Sequence, residues 1–290
     1  MGKPCTIKRN NYLLEENIMR GSLATAKRIV IKIGTSSLIY PNGNINLSGI
    51  DQLAFVLTDL ANQGKEIILV SSGAIGVGMN NLGLAQRPVS IPEQQAVAAV
   101  GQTELMTIYT QRFMTYSQNT AQVLLTRDIV EFPESRKNVI NTLNQLLAMH
   151  IIPIINENDT VAVEELDHQT KFGDNDQLSA IVTQLTNADL LIMLSDIDGF
   201  YSDNPAVNHE AVLYQTVHEI TGELMAKAGG KGSQFGTGGM VSKLKAAQRI
   251  LAADSKMVLA NGEKPQVIFA ILAGDAIGTL FCNQGKVENR

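Results

Sequence analysis

Residues 28–36 read Arg-Ile-Val-Ile-Lys-Ile-Gly-Thr-Ser, and residues 66–76 read Glu-Ile-Ile-Leu-Val-Ser-Ser-Gly-Ala-Ile-Gly. Each is a short run rich in β-branched residues that stops at small, polar ones, the pattern of a buried strand running into a tight turn. Between them, Leu47–Asn62 places Ile50, Leu53, Ala54, Leu57 and Ala61 at helical spacing. Strand, helix, strand is a βαβ unit, whose crossover makes the two strands parallel. Working outward, further strands are expected at 121–125, 151–155, 190–194 and 256–259, and helices at 93–115, 134–149, 174–186 and 239–253. Strands that alternate with helices give an α/β fold, a three-layer αβα sandwich around a central, mostly parallel sheet. Ligands of such sheets bind beyond the carboxyl ends of the strands, so the residues that follow each strand carry the functional information.

Those residues share a character. The first strand runs into Gly34-Thr35-Ser36, the second into Ser71-Ser72-Gly73-Ala74, and 151–155 into Asn156-Glu157-Asn158-Asp159. Asp174-Asn175-Asp176 opens a helix, Ser195-Asp196 follows a strand, and Thr237-Gly238-Gly239-Met240 precedes the helix that carries Lys243. Glycines let backbone N–H groups approach an anion, and a helix N-terminus adds partial positive charge, so these loops resemble phosphate cradles; any one of them alone is more often simple turn chemistry, and it is the set that points to an anion. Lys32 interrupts an apolar strand, which costs free energy unless its ammonium meets an anion or snorkels to an edge. Lys243 alone reads as a solvated helix lysine. Asp176 reads as a helix cap or as the carboxylate that orders two lysines. There is no Walker A motif, and Gly73, Gly76 and Gly78 run GxxGxG, not GxGxxG.

Composition narrows the classes. The chain has 290 residues, 44% hydrophobic and 18% charged, with 23 basic against 28 acidic side chains and a net charge of −5. That is ample for one large core, too apolar for a disordered chain, and without the long apolar run of a membrane helix. A mildly acidic chain has no overall attraction to nucleic acid or to anionic membranes, so an anionic ligand must be held by a few local cations. Two cysteines, Cys5 and Cys282, make neither a disulfide framework nor a CxxC motif, and four scattered histidines give no zinc spacing. A reducing, cytoplasmic setting is expected. Residues 1–26 lack the apolar core of a secretory signal and are read as an N-terminal extension whose order is left open.

The set KIGTSSL (32–38), VSSGAIGVG (70–78), INENDTVA (155–162), FGDNDQLSA (172–180), SDIDGFY (195–201) and GTGGMVSKLKAA (236–247) resembles the amino acid kinase superfamily, and within it the glutamate 5-kinases. The resemblance covers roughly residues 27 to 282. It implies an amino acid kinase domain over 27–290 that transfers a phosphoryl group from ATP, with Mg²⁺, to the γ-carboxylate of L-glutamate, the first step of proline biosynthesis. Carried over position by position, it makes Lys32 and Lys243 the phosphate-binding cations and Asp176 the group that positions them. It gives Ser72, Gly73, Ala74, Asn156, Asp159 and Asn175 to the amino acid. Lys32, Gly34, Ser195, Asp196, Thr237, Gly238, Gly239, Met240 and Lys243 go to the nucleotide, with no protein side chain assigned to the metal. It further implies a homodimer or homotetramer and feedback inhibition by proline; because acyl phosphates are labile, a separate glutamate-5-phosphate reductase is a chemically reasonable partner for the product. Many members carry a C-terminal PUA domain; none is expected here, a kinase-domain-only form.

The chemistry agrees independently. A γ-carboxylate is already ionised near neutral pH, so the nucleophile needs no histidine or other general base. Competing readings are a kinase for acetylglutamate, aspartate, carbamate or a nucleoside monophosphate, and a non-catalytic sensor on the same scaffold. The latter would have no use for both lysines and Asp176. The apolar residues Leu105, Met106, Ile108 and Phe113 are read either as core or as a subunit interface.

Overall fold

A computed structural model of the chain describes residues 16–126, 132–161, 175–228 and 239–284. Eight strands form one sheet: β1 (Arg28–Ile33), β2 (Glu66–Val70), β3 (Thr120–Leu125), β4 (Ile152–Glu157), β5 (Leu190–Ser195), β6 (Thr216–Val217), β7 (Lys256–Asn261) and β8 (Thr279–Phe281). Their order is β3-β4-β2-β1-β5-β7-β8-β6. Every pairing is parallel except β7 with β8. Among the described residues, the helices of seven or more residues are α1 (Leu47–Asn62), α2 (Ala74–Asn81), α3 (Ile91–Thr115), α4 (Pro133–Ala148), α5 (Asn175–Leu185), α6 (Gly222–Ala228), α7 (Gly239–Ala252) and α8 (Val267–Ala273).

The sheet divides two cores. Because successive side chains of a strand point to opposite faces, Ile29, Ile31 and Ile33 of β1 join α1, α3 and α8 on one side. Val30 joins α4, α5 and α7 on the other. This is the expected αβα sandwich. β1 and β5 lie side by side, yet the chain leaves β1 toward β2 and leaves β5 toward the opposite half of the sheet. The crevice at their carboxyl ends is therefore the topological switch point where α/β sheets bind ligands.

Several elements differ from the sequence reading. β4 runs two residues further than expected, because Asn156 and Glu157 continue the ladder opposite Leu124 and Leu125. Strands β6 and β8, with two and three residues, are too short to show a period in sequence. Leu105, Ile108 and Phe113 are buried in the core, with Met106 packed against it, so these four residues serve the chain's own packing, while Val100 and Met114 of the same helix are exposed. Of the stretch read as an extension, residues 16–21 are helical and Ser22–Thr25 form a 3₁₀ turn. Arg20, 1% exposed, donates to the carbonyls of Asp275, Ile277 and Gly278 before β8 and of Gln215 before β6, tying the two segments together.

One contact fixes the geometry of the site. α2 and α3 touch backbone to backbone: a Cβ on Gly101 would stand 1.8 Å from the Ala74 carbonyl oxygen, and one on Gly78 would stand 2.1 Å from that of Val97. Only glycine permits this approach, and it holds α3 against the loop that leaves β2.

Candidate active site

Lys32 shares the Val30 face of β1, so it points toward α5 and α7 and not into the aliphatic core beneath α1. It is 7% exposed. Its Nζ lies 2.5 Å from Asp176 Oδ1, while Lys243 Nζ lies 3.0 Å from Asp176 Oδ2. One carboxylate thus holds two ammonium groups that come from opposite ends of the chain. Asp176 sits in the first turn of α5, where the helix dipole also favours a negative charge. Burial works against its ionisation, but Lys32 and Lys243 outweigh that and hold the carboxyl below the usual aspartate range. α7 delivers Lys243 one turn after Gly239, and Gln177 Nε2 ties α5 to α7 by donating to the Ser242 carbonyl at 2.8 Å. The trio carries a net positive charge at the switch point.

The walls are made for a close approach. A Cβ on Gly34 would come 3.6 Å from Lys32 Nζ, so glycine there leaves the ammonium uncovered on that side. Ser195 ends β5 and donates from Oγ to Asp196 at 3.0 Å; Ser195 is buried and Asp196 exposed. Gly239 and Met240 open α7. Thr237 and Gly238 lie outside the described residues. Anionic phosphates fit this arrangement of excess cation, glycine and helix N-terminus. Among the described residues no group of three or more His, Cys, Asp and Glu could hold a metal ion, and Asp176 is committed to the lysines.

Beside the lysines stands a row of amides. Gly73 caps α2 with φ +96°, a left-handed conformation that favours glycine and turns the backbone sharply after Ser72. Asn175 Nδ2 donates to the Ser71 carbonyl at 2.8 Å, to Ser72 Oγ at 2.9 Å and to Asn156 Oδ1 at 2.9 Å. Asn156 Oδ1 also accepts from the Glu157 backbone N–H, and Asn156 Nδ2 donates to Gln102 Oε1 at 2.8 Å. Asn175 Oδ1 is buried and has no partner among the described residues. Next to this row a pocket of about 200 Å³ is lined by Ala74, Gln102, Gln122, Glu157 and Asp159. That is below the roughly 300–1,000 Å³ of sites for drug-sized ligands and suits a single small molecule. A larger cavity, about 580 Å³, opens at the opposite edge of the sheet between Ser22, Arg136, Asp189 and Lys256, away from every strand-end group.

Lys32, Lys243, Asp176, Asn175, Ser72 and Asn156 therefore form one connected cluster, with Ala74 and Asp159 at the adjoining pocket. Sequence reasoning missed Gln102 and the buried Tyr109, whose hydroxyl lies 2.9 Å from that of Ser71. Burial, only partly offset by Ser71, pushes the Tyr109 phenol above its usual range and keeps it neutral. The available signal was a glutamine inside the buried stripe Val97, Ala98, Gly101, Leu105, Ile108 of α3.

Comparison with known proteins agrees with this geometry. A family model described as the amino acid kinase family matches residues 27–261. A protein of Enterococcus faecalis named glutamate 5-kinase is 72% identical over 267 residues, covering 92% of this chain and 98% of the relative. Another of that name, from Listeria monocytogenes, is 62% identical, covering 92% and 96%. Among solved structures, isopentenyl phosphate kinase from T. acidophilum superposes with a TM-score of 0.61 at 16% identity, covering 88% of this chain and all of that one. UMP kinase from Bacillus anthracis gives 0.59 at 15%, covering 90% and 97%. At 15–16% identity the two structures share the fold alone, whereas the sequence relatives are 62–72% identical over nearly their whole length and the family model spans residues 27–261, and on that ground the chain belongs to the amino acid kinase family.

Proposed function

We propose that this chain is a glutamate 5-kinase, which transfers the γ-phosphoryl group of ATP to the γ-carboxylate of L-glutamate in the first step of proline biosynthesis. The observation that carries the reading is the pair of lysines on one buried carboxylate, set beside a pocket for one amino acid, in a chain whose relatives at 60–72% identity bear that name. A carboxylate oxygen attacks the γ-phosphorus as the bond to the β-phosphate oxygen breaks, and ADP leaves with the electron pair. No proton moves, which accounts for a centre that holds no histidine among the described residues.

Two anions must approach each other, so the site's task is alignment and charge neutralisation. Lys32 and Lys243 hold the transferring phosphoryl group, and Asp176 fixes both ammonium groups in advance, so that no reorganisation is needed during reaction. Gly34, Ser195, Asp196 and the Thr237–Lys243 stretch line the nucleotide. Mg²⁺, bound together with the nucleotide, would supply further neutralisation of the phosphate charge, and no side chain of the described residues is assigned to it. On the amino acid side, Asp159 and the unpartnered Asn175 Oδ1 are acceptors for the α-ammonium, while Ser72 and the Gly73–Ala74 backbone border the carboxylates. A reducing compartment suits buried Cys282, whose thiol is pushed by burial up to about 11 and so stays protonated.

The test is capture of the acyl phosphate with hydroxylamine. ATP, Mg²⁺, glutamate and the protein are expected to give glutamyl hydroxamate. Its absence with folded protein, or an equal yield with acetylglutamate or aspartate in place of glutamate, overturns the assignment. Within it, Asp159→Ala is expected to raise the glutamate KM by about 10–100-fold, the scale of one hydrogen bond to a charged group, with the ATP KM little changed. An unchanged glutamate KM removes Asp159 from the substrate site.

A further inference from the structure

The polarity of the amide row can be followed from a fixed end. The Glu157 backbone N–H can only donate, so the Asn156 atom that accepts from it, at 2.9 Å, must be Oδ1. The other end of the same side chain is then Nδ2, which can only donate, and the Gln102 atom it meets at 2.8 Å must be Oε1. Gln102 is left with Nε2, two N–H donors on a residue that is 9% exposed and lines the 200 Å³ pocket beside Asp159. No protein acceptor meets Nε2 among the described residues. Rotating the amide would set two donors against each other at Asn156, so the network locks Gln102 with its donor end free for the pocket.

The position of Gln102 is as fixed as its polarity. It follows Gly101, whose missing Cβ lets α3 rest on the Ala74 carbonyl and the Gly78 backbone. Two turns further on, Tyr109 reaches Ser71 and pins the same helix to the end of β2. α3 is thus held to the substrate loop at both points.

We infer that Gln102 is a specificity-determining residue that donates from Nε2 to the α-carboxylate of the amino acid substrate while its Oε1 orients Asn156. The inference rests on the glutamate reading above. Asp159 and Asn175 offer acceptors to the ammonium, and the γ-carboxylate must reach the lysines. The α-carboxylate is then the one charged group left, and it needs a donor at the pocket end away from the lysines. A fixed amide donor there rejects ligands that lack an acceptor, because its N–H groups would be buried unpaired.

Gln102→Glu separates the two roles, since it keeps the volume and an acceptor for Asn156 Nδ2 but replaces the donor by a negative charge. The glutamate KM is expected to rise by about 10–100-fold with the ATP KM within two-fold of wild type. Gln102→Met removes both ends and is expected to raise the glutamate KM as well and to lower kcat, because Asn156 loses its orientation. Melting temperatures of both variants confirm folding, and if the charged variant does not fold, a wild-type glutamate KM in the neutral one still overturns the inference, because it too lacks the donor. Wild-type glutamate KM in Gln102→Glu with a defect confined to Gln102→Met makes the residue a support for Asn156 alone and overturns the contact; wild-type KM in both overturns the whole inference. Failure of the glutamate reading would show separately, as no hydroxamate from the wild-type protein.

Discussion

Lys32→Met is expected to lower kcat by about 10²–10³-fold, the scale of removing one preorganised donor from a transition state. Methionine keeps the length and apolar stem of the side chain, so the packing between β1 and α5 survives, and Asp176 keeps Lys243 as its partner. What is lost is the charge that meets the phosphoryl group when it is bonded to neither oxygen fully. Because the effect is confined to the transition state, kcat and kcat/KM for glutamate should fall together. Steady-state kinetics on protein with a wild-type melting curve checks this. Turnover within a few-fold of wild type would mean that Lys32 neutralises Asp176 and does nothing else, and the phosphoryl-transfer centre would have to be sought elsewhere.

Asp176→Asn is expected to destabilise the protein by about 3–5 kcal/mol, because it leaves two ammonium groups facing each other where one buried carboxylate had held both. For a domain of this size that corresponds to a fall in Tm of roughly 6–20 °C. The pH dependence is specific. The Asp176 carboxyl is held below the ordinary aspartate range, so its contribution is fully present above the unfolded pKa of about 3.9 and disappears as pH falls through the lower folded value. The Tm gap between wild type and variant should therefore be constant from neutral pH to about 5 and narrow below about 4. ATP should narrow the gap at neutral pH, since its phosphates replace the missing anion. A gap that is small at pH 7, or independent of pH down to 3, would show that the lysines do not depend on Asp176.

The parts of the site legible in sequence were those where a residue type conflicts with its local setting. A lysine in the buried run Ile-Val-Ile-Lys-Ile, and glycines and serines directly after strands, are costly for folding alone and so stand out. Gln102 did not, because a single polar residue in a 25-residue helix is unremarkable until the face it occupies is known. Asn156 was identified but placed in a loop. The ladder with β3 shows it inside the strand, which is what fixes its side-chain polarity through the Glu157 N–H. Tyr109 and its pairing with Ser71 were invisible for a related reason: a tyrosine on a helix is an ordinary residue, and the pairing spans 38 positions.

The sequence by itself determined the alternation of strand and helix, the sheet edge at which ligands bind, and the residues able to carry charge there, because period and turn chemistry are local properties of the chain. Only the tertiary structure decided that Lys32 and Lys243, 211 positions apart in the chain, share one carboxylate, and which end of Gln102 faces the pocket. Those outcomes depend on strand order, on the face each strand residue takes, and on a backbone contact between two helices at Gly78 and Gly101. They follow from packing many segments at once, and no local stretch of sequence encodes them.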